Sequence, residues 1–260
     1  KEEIYANISP IAKSLLVNLK ILSTVSSTNV FAKNIAEVSN SCGYIVLAEA
    51  QTEGRGRRGK SWISPYGCNL YLSLVWGFSG GVKEIEGLSL AVACAVLRGL
   101  TKCGAKNIKL KWPNDLIYEE KKIGGILLEV VGDPSGYCQV IIGVGININM
   151  PERFSQHIDR AWTNISKLLN PGVSRNILAS SVIEELLLLL KNYKNLGFSN
   201  YKDEWLMNDN SIGKWVQLEM MSNSVVGFVR GIDSSGGLIL EVEGKVQVFN
   251  GGEISLRECK

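Results

Sequence analysis

The sequence has few of the residues that build metal centres and acid–base relays. It holds a single histidine, His157, and its six cysteines include no C-x-x-C pair. Zinc sites usually need such a pair or neighbouring histidines, so we predict no zinc site and no other dedicated metal centre of cysteine and histidine ligands. One histidine and no G-x-S-x-G elbow also argue against a Ser-His-Asp hydrolase. Reduced, mostly buried thiols in a cytoplasmic protein are the expectation.

Strong charge imbalance and long apolar runs are missing too. A net charge of +3 on 260 residues is too small to indicate nucleic-acid binding over the whole surface. The most apolar run, residues 186–190, lies between Glu185 and Lys191 and is far shorter than the ~20 residues that span a bilayer. We therefore expect neither a membrane span nor a signal peptide.

What is present is a cationic glycine loop, residues 54–60, with the sequence GRGRRGK. Its three glycines let main-chain N–H groups approach a ligand closely, and its four cations match phosphate or carboxylate oxygens. An anionic ligand should order such a loop. A solvated basic loop is the plain alternative, because glycine- and arginine-rich runs are common in flexible segments.

Two further segments carry candidate chemistry. In residues 111–115, KWPND, a turn accounts for Pro113 and Asn114, whereas Asp115 beside two lysines could hold Mg²⁺ or orient an ammonium group. Lys122 stands next to small residues and could reach into a cleft, or it could be an ordinary exposed lysine. Combined with the basic loop, this lysine suggests a substrate that bears both carboxylate and phosphate groups.

The pattern of elements predicts an α+β fold with a mixed, largely antiparallel central sheet. Capped helices are indicated at Ser9-Pro10 and from Ser174 to about 196, and a buried helix at 87–103. After Gly213 the chain turns to short strands separated by turns, which predicts a small β-barrel because so few strands must protect their edges. We divide the chain into a catalytic domain, 1–210, and a C-terminal domain, 211–260.

In order and spacing, several motifs together resemble the biotin protein ligase family over nearly the whole chain. These are Ser27-Thr28-Asn29, Gln51, residues 54–59, Trp62, residues 64–71, the KWPND segment, residues 122–127, residues 143–147 and residues 251–257. The resemblance is strongest to bacterial biotin–[acetyl-CoA carboxylase] ligases. It implies a catalytic domain resembling class II aminoacyl-tRNA synthetases and a small C-terminal SH3-like β-barrel.

The resemblance also implies a two-step reaction with biotin, ATP and Mg²⁺. Biotin and MgATP give biotinyl-5′-AMP and pyrophosphate, and a lysine of the biotin carboxyl carrier protein of acetyl-CoA carboxylase then takes the biotin. Family members often pair through an edge of the central sheet, which leaves a homodimer open. DNA binding would require an upstream winged-helix domain, and the chain has no helix-turn-helix pattern ahead of Ser9.

For biotin, the resemblance implies that four polar residues surround the ureido ring: Ser27, Thr28, Asn29 and Gln51. Arg55, Gly56 and Arg57 lie where the family's loop closes over the adenylate. Such a lid would exclude water from an acyl-adenylate that hydrolyses easily.

For the reacting groups, the resemblance implies that Lys122 contacts the biotin carboxylate and the phosphate. Asn147 and Trp162 match adenylate-site positions, with the tryptophan packed against adenine. Asp115 would help with metal or with the incoming lysine. The chemistry is thus assigned to Arg57, Lys122 and Asp115.

Three alternatives stay open at this point. A lipoate ligase or octanoyltransferase shares the broad fold, although its glycine- and histidine-containing motif is absent. A non-catalytic co-repressor fragment would sense biotinyl-AMP without making it. For the C-terminal domain, a packing role that completes the site is favoured over recognition of ATP or carrier by Glu253 or Arg257.

Overall fold

A seven-stranded sheet forms the centre of the chain in the computed structural model, which describes residues 1–220, 223–251 and 255–258. The strand order is β1-β2-β3-β7-β6-β5-β4. Only β1 and β2 pair in parallel, and the other neighbours are antiparallel, so the predicted mixed, largely antiparallel sheet is confirmed. The strands are β1 (Asn18–Val25), β2 (Tyr44–Gln51), β3 (Leu70–Phe78), β4 (Lys109–Lys111), β5 (Asp115–Tyr118), β6 (Lys121–Gly132) and β7 (Cys138–Ile146).

Helices cover both faces of this sheet, which is why β3 and β7 are apolar along nearly their whole length. Helix α3 packs on one face, against Val46, Val75 and Ile141. Helices α4 and α5 pack on the other face and form the larger core. The helices are α1 (Glu2–Ala6), α2 (Pro10–Leu15), α3 (Thr28–Val38), α4 (Leu88–Lys102), α5 (Arg175–Leu196) and α6 (Lys202–Asn208).

Local capping explains where two of these helices begin. The Ser9 hydroxyl accepts a hydrogen bond from the Ala12 N–H ahead of α2, and Ser174 does the same for Ile177 ahead of α5. The short helices α1 and α6 give too few turns for an apolar period to reveal them in the sequence. No helix in the described part of the chain is long and apolar enough to cross a membrane.

The C-terminal strands form a second, antiparallel sheet in the order β11-β10-β9-β8-β12. They are β8 (Trp215–Glu219), β9 (Ser224–Ile232), β10 (Leu238–Val242), β11 (Lys245–Phe249) and β12 (Ser255–Glu258). The predicted closed barrel is not formed over the described residues, because β11 and β12 stand at opposite edges and do not pair. Glu253 and the side chain of Arg257 lie outside the residues whose positions are described.

Two contacts join this second sheet to the first domain close to the KWPND turn. Trp112, whose side chain is buried, donates its indole N–H to the carbonyl oxygen of Gly236 at 3.0 Å. The guanidinium of Arg57 donates to the carbonyl oxygen of Gly251. The C-terminal domain therefore touches both the turn and the cationic loop.

Candidate active site

A network of neutral polar side chains lies where α3 begins beside β2 and β3. Gln51 Oε1 accepts from the backbone N–H of Thr28 at 2.8 Å and from its hydroxyl at 3.1 Å. The Ser73 hydroxyl contacts Thr28 Oγ1 at 2.8 Å and Asn29 Oδ1 at 2.6 Å. Asn29 in turn donates from Nδ2 to Glu129 at 2.7 Å. These bonds fix each amide and hydroxyl in one orientation, as recognition of a polar ring requires.

Missing side chains on β7 make the room for this network. A Cβ on Gly143 would lie 2.3 Å from Asn29 Oδ1, and one on Gly145 would lie 2.6 Å from the Trp62 ring. The cavity that results has a volume of about 60 Å³ and is lined by Ser27, Thr28, Asn29 and Gln51 together with the loop residues Arg55, Gly56 and Arg57. Trp62 forms one wall, and its ring nitrogen has no hydrogen-bond partner among the residues that the structure describes.

The cationic loop is folded back on itself. The N–H of Gly56 donates to the Lys60 carbonyl at 2.7 Å, and the N–H of Trp62 donates to the Gly54 carbonyl at 2.8 Å. Arg58 takes a left-handed backbone with φ of 57°, a region that few non-glycine residues enter. Arg57 points inward from this turn and donates to Asn114 Oδ1 at 3.2 Å. The loop is thus tied to the KWPND turn through Arg57.

Asn114 links three parts of the structure. Its Oδ1 accepts from Arg57, and its Nδ2 donates to the backbone carbonyl of Ile126 on β6 at 2.8 Å. Its backbone N–H donates to the carbonyl of Lys111 at 3.2 Å, the hydrogen bond that closes the turn. The sequence predicts only a role in the turn for Asn114, and the structure adds its hydrogen bond with Arg57.

Lys122 stands beside this turn and is largely buried. Its ammonium nitrogen lies 2.5 Å from Asp115 Oδ1 and 5.2 Å from the centre of the Trp62 ring. Burial lowers the pKa of Lys122, and Asp115 opposes that shift. Lys122 therefore points into the site, and the alternative of an ordinary exposed lysine is wrong.

A second cation shares the same carboxylate. Arg160 Nη1 lies 2.7 Å from Asp115 Oδ2, so each carboxylate oxygen holds one cation. Asp115 thus pairs with ammonium and guanidinium, and no group of three or more metal-ligating side chains occurs among the residues the structure describes. Arg160 gives no signal in the sequence, because it lies 45 positions from Asp115 in an irregular polar stretch.

A larger cavity of about 690 Å³ adjoins the first. Asn147 and Trp162 line it with Lys60, the KWPND turn, His157 and Leu256. Asn147 is buried at the end of β7, and its N–H donates to the Ile123 carbonyl at 2.7 Å. The chain around Trp162 runs alongside Lys122, which donates its N–H to the Ala161 carbonyl at 3.0 Å.

Each residue to which the resemblance assigns a catalytic or ligand-binding role in the first domain lines one of these two cavities. The cavities share Gly56, Arg57, Trp62, Asn114 and Lys122 as a common wall. One end of the combined site is neutral, and the other carries several cations. The site can therefore take a molecule with a polar uncharged ring, an anionic tail and a polyanionic neighbour.

Two family models match the chain. The Biotin/lipoate A/B protein ligase family matches residues 22–147, and the Biotin protein ligase C terminal domain matches residues 211–257. These matches define the class as biotin or lipoate ligases.

Similar proteins narrow that class. The Bifunctional ligase/repressor BirA of Escherichia coli strain K12 is 36% identical over 244 residues, which cover 94% of this chain and 75% of that protein. The Biotin--[acetyl-CoA-carboxylase] ligase of Paracoccus denitrificans is 30% identical over 90% of this chain and 98% of its own length. The structure of Biotin protein ligase from Aquifex aeolicus in complex with biotin and ATP superimposes with a TM-score of 0.78 at 28% identity, covering 94% of this chain and all of that one. The chain belongs to the biotin protein ligase family and is a biotin ligase enzyme.

Proposed function

We propose that this chain activates biotin with MgATP and transfers it to a lysine of the biotin carboxyl carrier protein of acetyl-CoA carboxylase. The observation that carries the proposal is the common wall of the two cavities, where Lys122 lies between the uncharged polar side chains of the smaller cavity, which we call the neutral pocket, and the cations of the larger one. Two relatives bear the name Biotin--[acetyl-CoA-carboxylase] ligase, and solved relatives hold biotin with ATP or biotinyl-5-AMP. These names support both the substrates and the acceptor.

In this proposal the neutral pocket holds the ureido ring of biotin. A urea offers two N–H donors and one carbonyl acceptor. The pocket supplies matching acceptors and donors in the hydroxyl and amide groups of Ser27, Thr28, Asn29 and Gln51. Glu129 fixes Asn29 from behind, so the orientation of that amide is set before the ligand arrives. The groups that face the ligand in this pocket are uncharged hydroxyls and amides, which suits a ring that carries no charge.

The first reaction joins two anions and therefore needs cations. A carboxylate oxygen of biotin attacks the α-phosphorus of ATP, an O–P bond forms, and the bond to pyrophosphate breaks. Lys122 and Arg57 would offset the charge that collects between carboxylate and phosphate. Arg55 and Gly56 belong to the same loop, which would close over the mixed anhydride and exclude water.

The nucleotide would occupy the larger cavity. Asn147 and Trp162 line that cavity, and an indole face can pack on adenine while an amide binds its polar edge. Mg²⁺ would enter with the triphosphate as part of the substrate, since Asp115 is engaged by Lys122 and Arg160. We assign Asp115 the role of orienting Lys122.

In the second reaction the ε-amine of the acceptor lysine attacks the carbonyl carbon of biotinyl-AMP. A C–N bond forms, the C–O bond to AMP breaks, and the amine loses a proton. The C-terminal domain, which we place at 211–260, would complete the wall near Arg57 through Gly251 and Leu256. A homodimer and a cytoplasmic location remain proposals. Operator binding would depend on an upstream winged-helix domain.

The test is pyrophosphate release from ATP by the purified chain with biotin, first without and then with a carrier domain. We expect biotin-dependent release in both cases and labelled carrier only in the second. Lipoate should not replace biotin, because the neutral pocket has donors and acceptors arranged for a ring that offers both. Pyrophosphate release with lipoate at the rate seen with biotin would contradict the assignment of biotin as the substrate. No release with either compound would indicate that the chain only senses biotinyl-AMP.

A further inference from the structure

Arg160 reaches the site from a segment that the main chain holds in place. The N–H of Lys122 donates to the Ala161 carbonyl, and the N–H of Thr163 donates to the Lys122 carbonyl, both at 3.0 Å. The main chain of Lys122 is therefore hydrogen-bonded to the residues on either side of Trp162, in the segment that carries Arg160. The backbone next to Arg160 is held by these bonds and not by the ion pair with Asp115, and the Arg160 side chain is 43% exposed.

Asp115 divides its two oxygens between the two cations. Oδ1 lies 2.5 Å from Lys122 Nζ, and Oδ2 lies 2.7 Å from Arg160 Nη1. A carboxylate that is free to rotate could present both oxygens to an ammonium group. With Oδ2 engaged, Asp115 takes one of the three N–H bonds of Lys122 and leaves the others free to turn toward substrate.

From this geometry we propose that Arg160 is a positioning residue for Lys122, acting through the second oxygen of Asp115. The inference rests on the proposed function, in which Lys122 contacts the biotin carboxylate and the α-phosphate. Without Arg160, Asp115 would rotate and hold Lys122 with both oxygens, away from the common wall of the cavities. The rate of adenylation would fall, while the nucleotide would still find its other contacts.

The pKa of Lys122 provides a second, independent measurement, because it depends on the charges that face this lysine. They come from three elements: Asp115 on β5, Arg160 on the 158–162 segment and Lys60 on the loop. Asp115 raises the pKa of Lys122, and both Arg160 and Lys60 lower it. Removing Arg160 deletes a repelling charge and gives Lys122 a closer carboxylate, so its pKa should rise.

The test compares Arg160→Ala, Arg160→Gln and Arg160→Lys in biotin-dependent pyrophosphate release. For Arg160→Ala we expect kcat to fall about 10- to 100-fold, the loss that follows from misplacing a reacting group by about 1 Å. The KM for ATP should change less than about threefold, because binding contacts elsewhere remain. The alkaline limb of the kcat profile should move to higher pH, and Arg160→Lys should restore most of the rate.

Arg160→Gln separates position from charge, because its amide can still donate to Asp115. It should keep a higher kcat than Arg160→Ala while sharing the shifted alkaline limb. Arg153→Ala serves as the matched control, since Arg153 lies on the preceding turn over the Phe154 ring and touches neither cavity.

Two results would overturn the inference. A raised KM for ATP with kcat unchanged in Arg160→Ala would mean that Arg160 only binds nucleotide. A lower melting temperature with the alkaline limb unmoved would mean that Arg160 only supports the fold. If the unmodified chain shows no biotin-dependent release, the proposed function fails, and this outcome is distinct from an active chain that tolerates Arg160→Ala.

Discussion

The two ends of the site use opposite chemistry, although they share one wall. At the neutral end, Thr28, Asn29, Gln51 and Ser73 satisfy one another through short hydrogen bonds. At the charged end, the single carboxylate of Asp115 stands between two cations. The first end gains specificity from fixed donors and acceptors, whereas the second gains its effect from charge. A molecule that unites an uncharged ring with an acid group fits across both.

The largest effect is expected from Lys122→Ala, which removes the ammonium group at the common wall. Taking away one donor that meets developing charge costs about 100- to 1,000-fold in kcat. Biotin-dependent pyrophosphate release would measure the loss. Binding of the uncharged analogue biotinamide should stay within about twofold, because it depends on the neutral end.

Lys121→Ala is the matched control for that change. Lys121 is the neighbouring lysine at the hairpin tip, is exposed and lines neither cavity. It should retain full activity. Equal losses in the two variants would show that general charge, and not the site, sets the rate.

A second prediction concerns Arg57→Gly, which unties the loop from Asn114 and from Gly251. Losing a hydrogen bond from a charged group costs roughly 1.5–3 kcal/mol, so biotinyl-AMP should leave about 10- to 100-fold faster. Escaped anhydride should biotinylate a bystander protein without selection. Arg57→Ala should behave alike, which separates loss of the guanidinium from gain of glycine flexibility.

The control for the loop is Arg230→Ala. Arg230 pairs with Glu241 on the C-terminal sheet, and neither side chain lines a cavity. Bystander labelling should remain at the level of the unmodified chain. An unchanged off-rate of biotinyl-AMP in Arg57→Gly would contradict the lid.

A third, smaller effect is expected from Thr28→Val at the neutral end. Valine keeps the shape but removes a hydroxyl that donates to Gln51 and accepts from Ser73. One buried group left unsatisfied costs about 1–3 kcal/mol, which predicts a rise of roughly tenfold in the KM for biotin. The KM for ATP should not change.

Thr101→Val provides the same substitution far from the site. The Thr101 hydroxyl donates to the Leu97 carbonyl within α4. Thr101→Val should change neither the KM for biotin nor the KM for ATP. A rise in the KM for ATP with Thr28→Val would mean that the two ends are not separable.

The sequence predicts the charged end better than the contacts behind it. The glycine and arginine loop, Lys122 and Asp115 stand out because residues of unusual type lie close together in the chain. Ser73, Glu129 and Arg160 do not stand out, because their hydrogen-bond partners are distant in the sequence. Ser73 and Glu129 lie 44 and 100 positions from Asn29, and Arg160 lies 45 positions from Asp115. Such pairs depend on sheet register and loop paths, which local patterns do not contain.

The same limit applies to the fold. Strand β7 (Cys138–Ile146) continues through Gly143 and Gly145, although glycine is depleted in strands and suggests a loop. The reason lies across the sheet, where Asn29 and Trp62 fill the space that side chains would take. The small domain shows the converse: its short strands are readable, but their closure into a barrel depends on the strand order.

The smallest expected effect is that of ionic strength on ligand binding. It compares the neutral and the charged ends of the site most directly, because it needs no substitution. Raising ionic strength from about 0.05 to 0.5 M shortens the Debye length from roughly 14 to 4 Å and weakens attraction between ATP and the cations. We expect the Kd for MgATP to rise about threefold to tenfold and the Kd for biotinamide to change less than twofold in calorimetric titrations. Free Mg²⁺ must be held constant, and potassium glutamate in place of chloride controls for anion competition. Equal salt dependence for both ligands would mean that charge acts across the whole site, and the division into a neutral and a charged end would then be wrong.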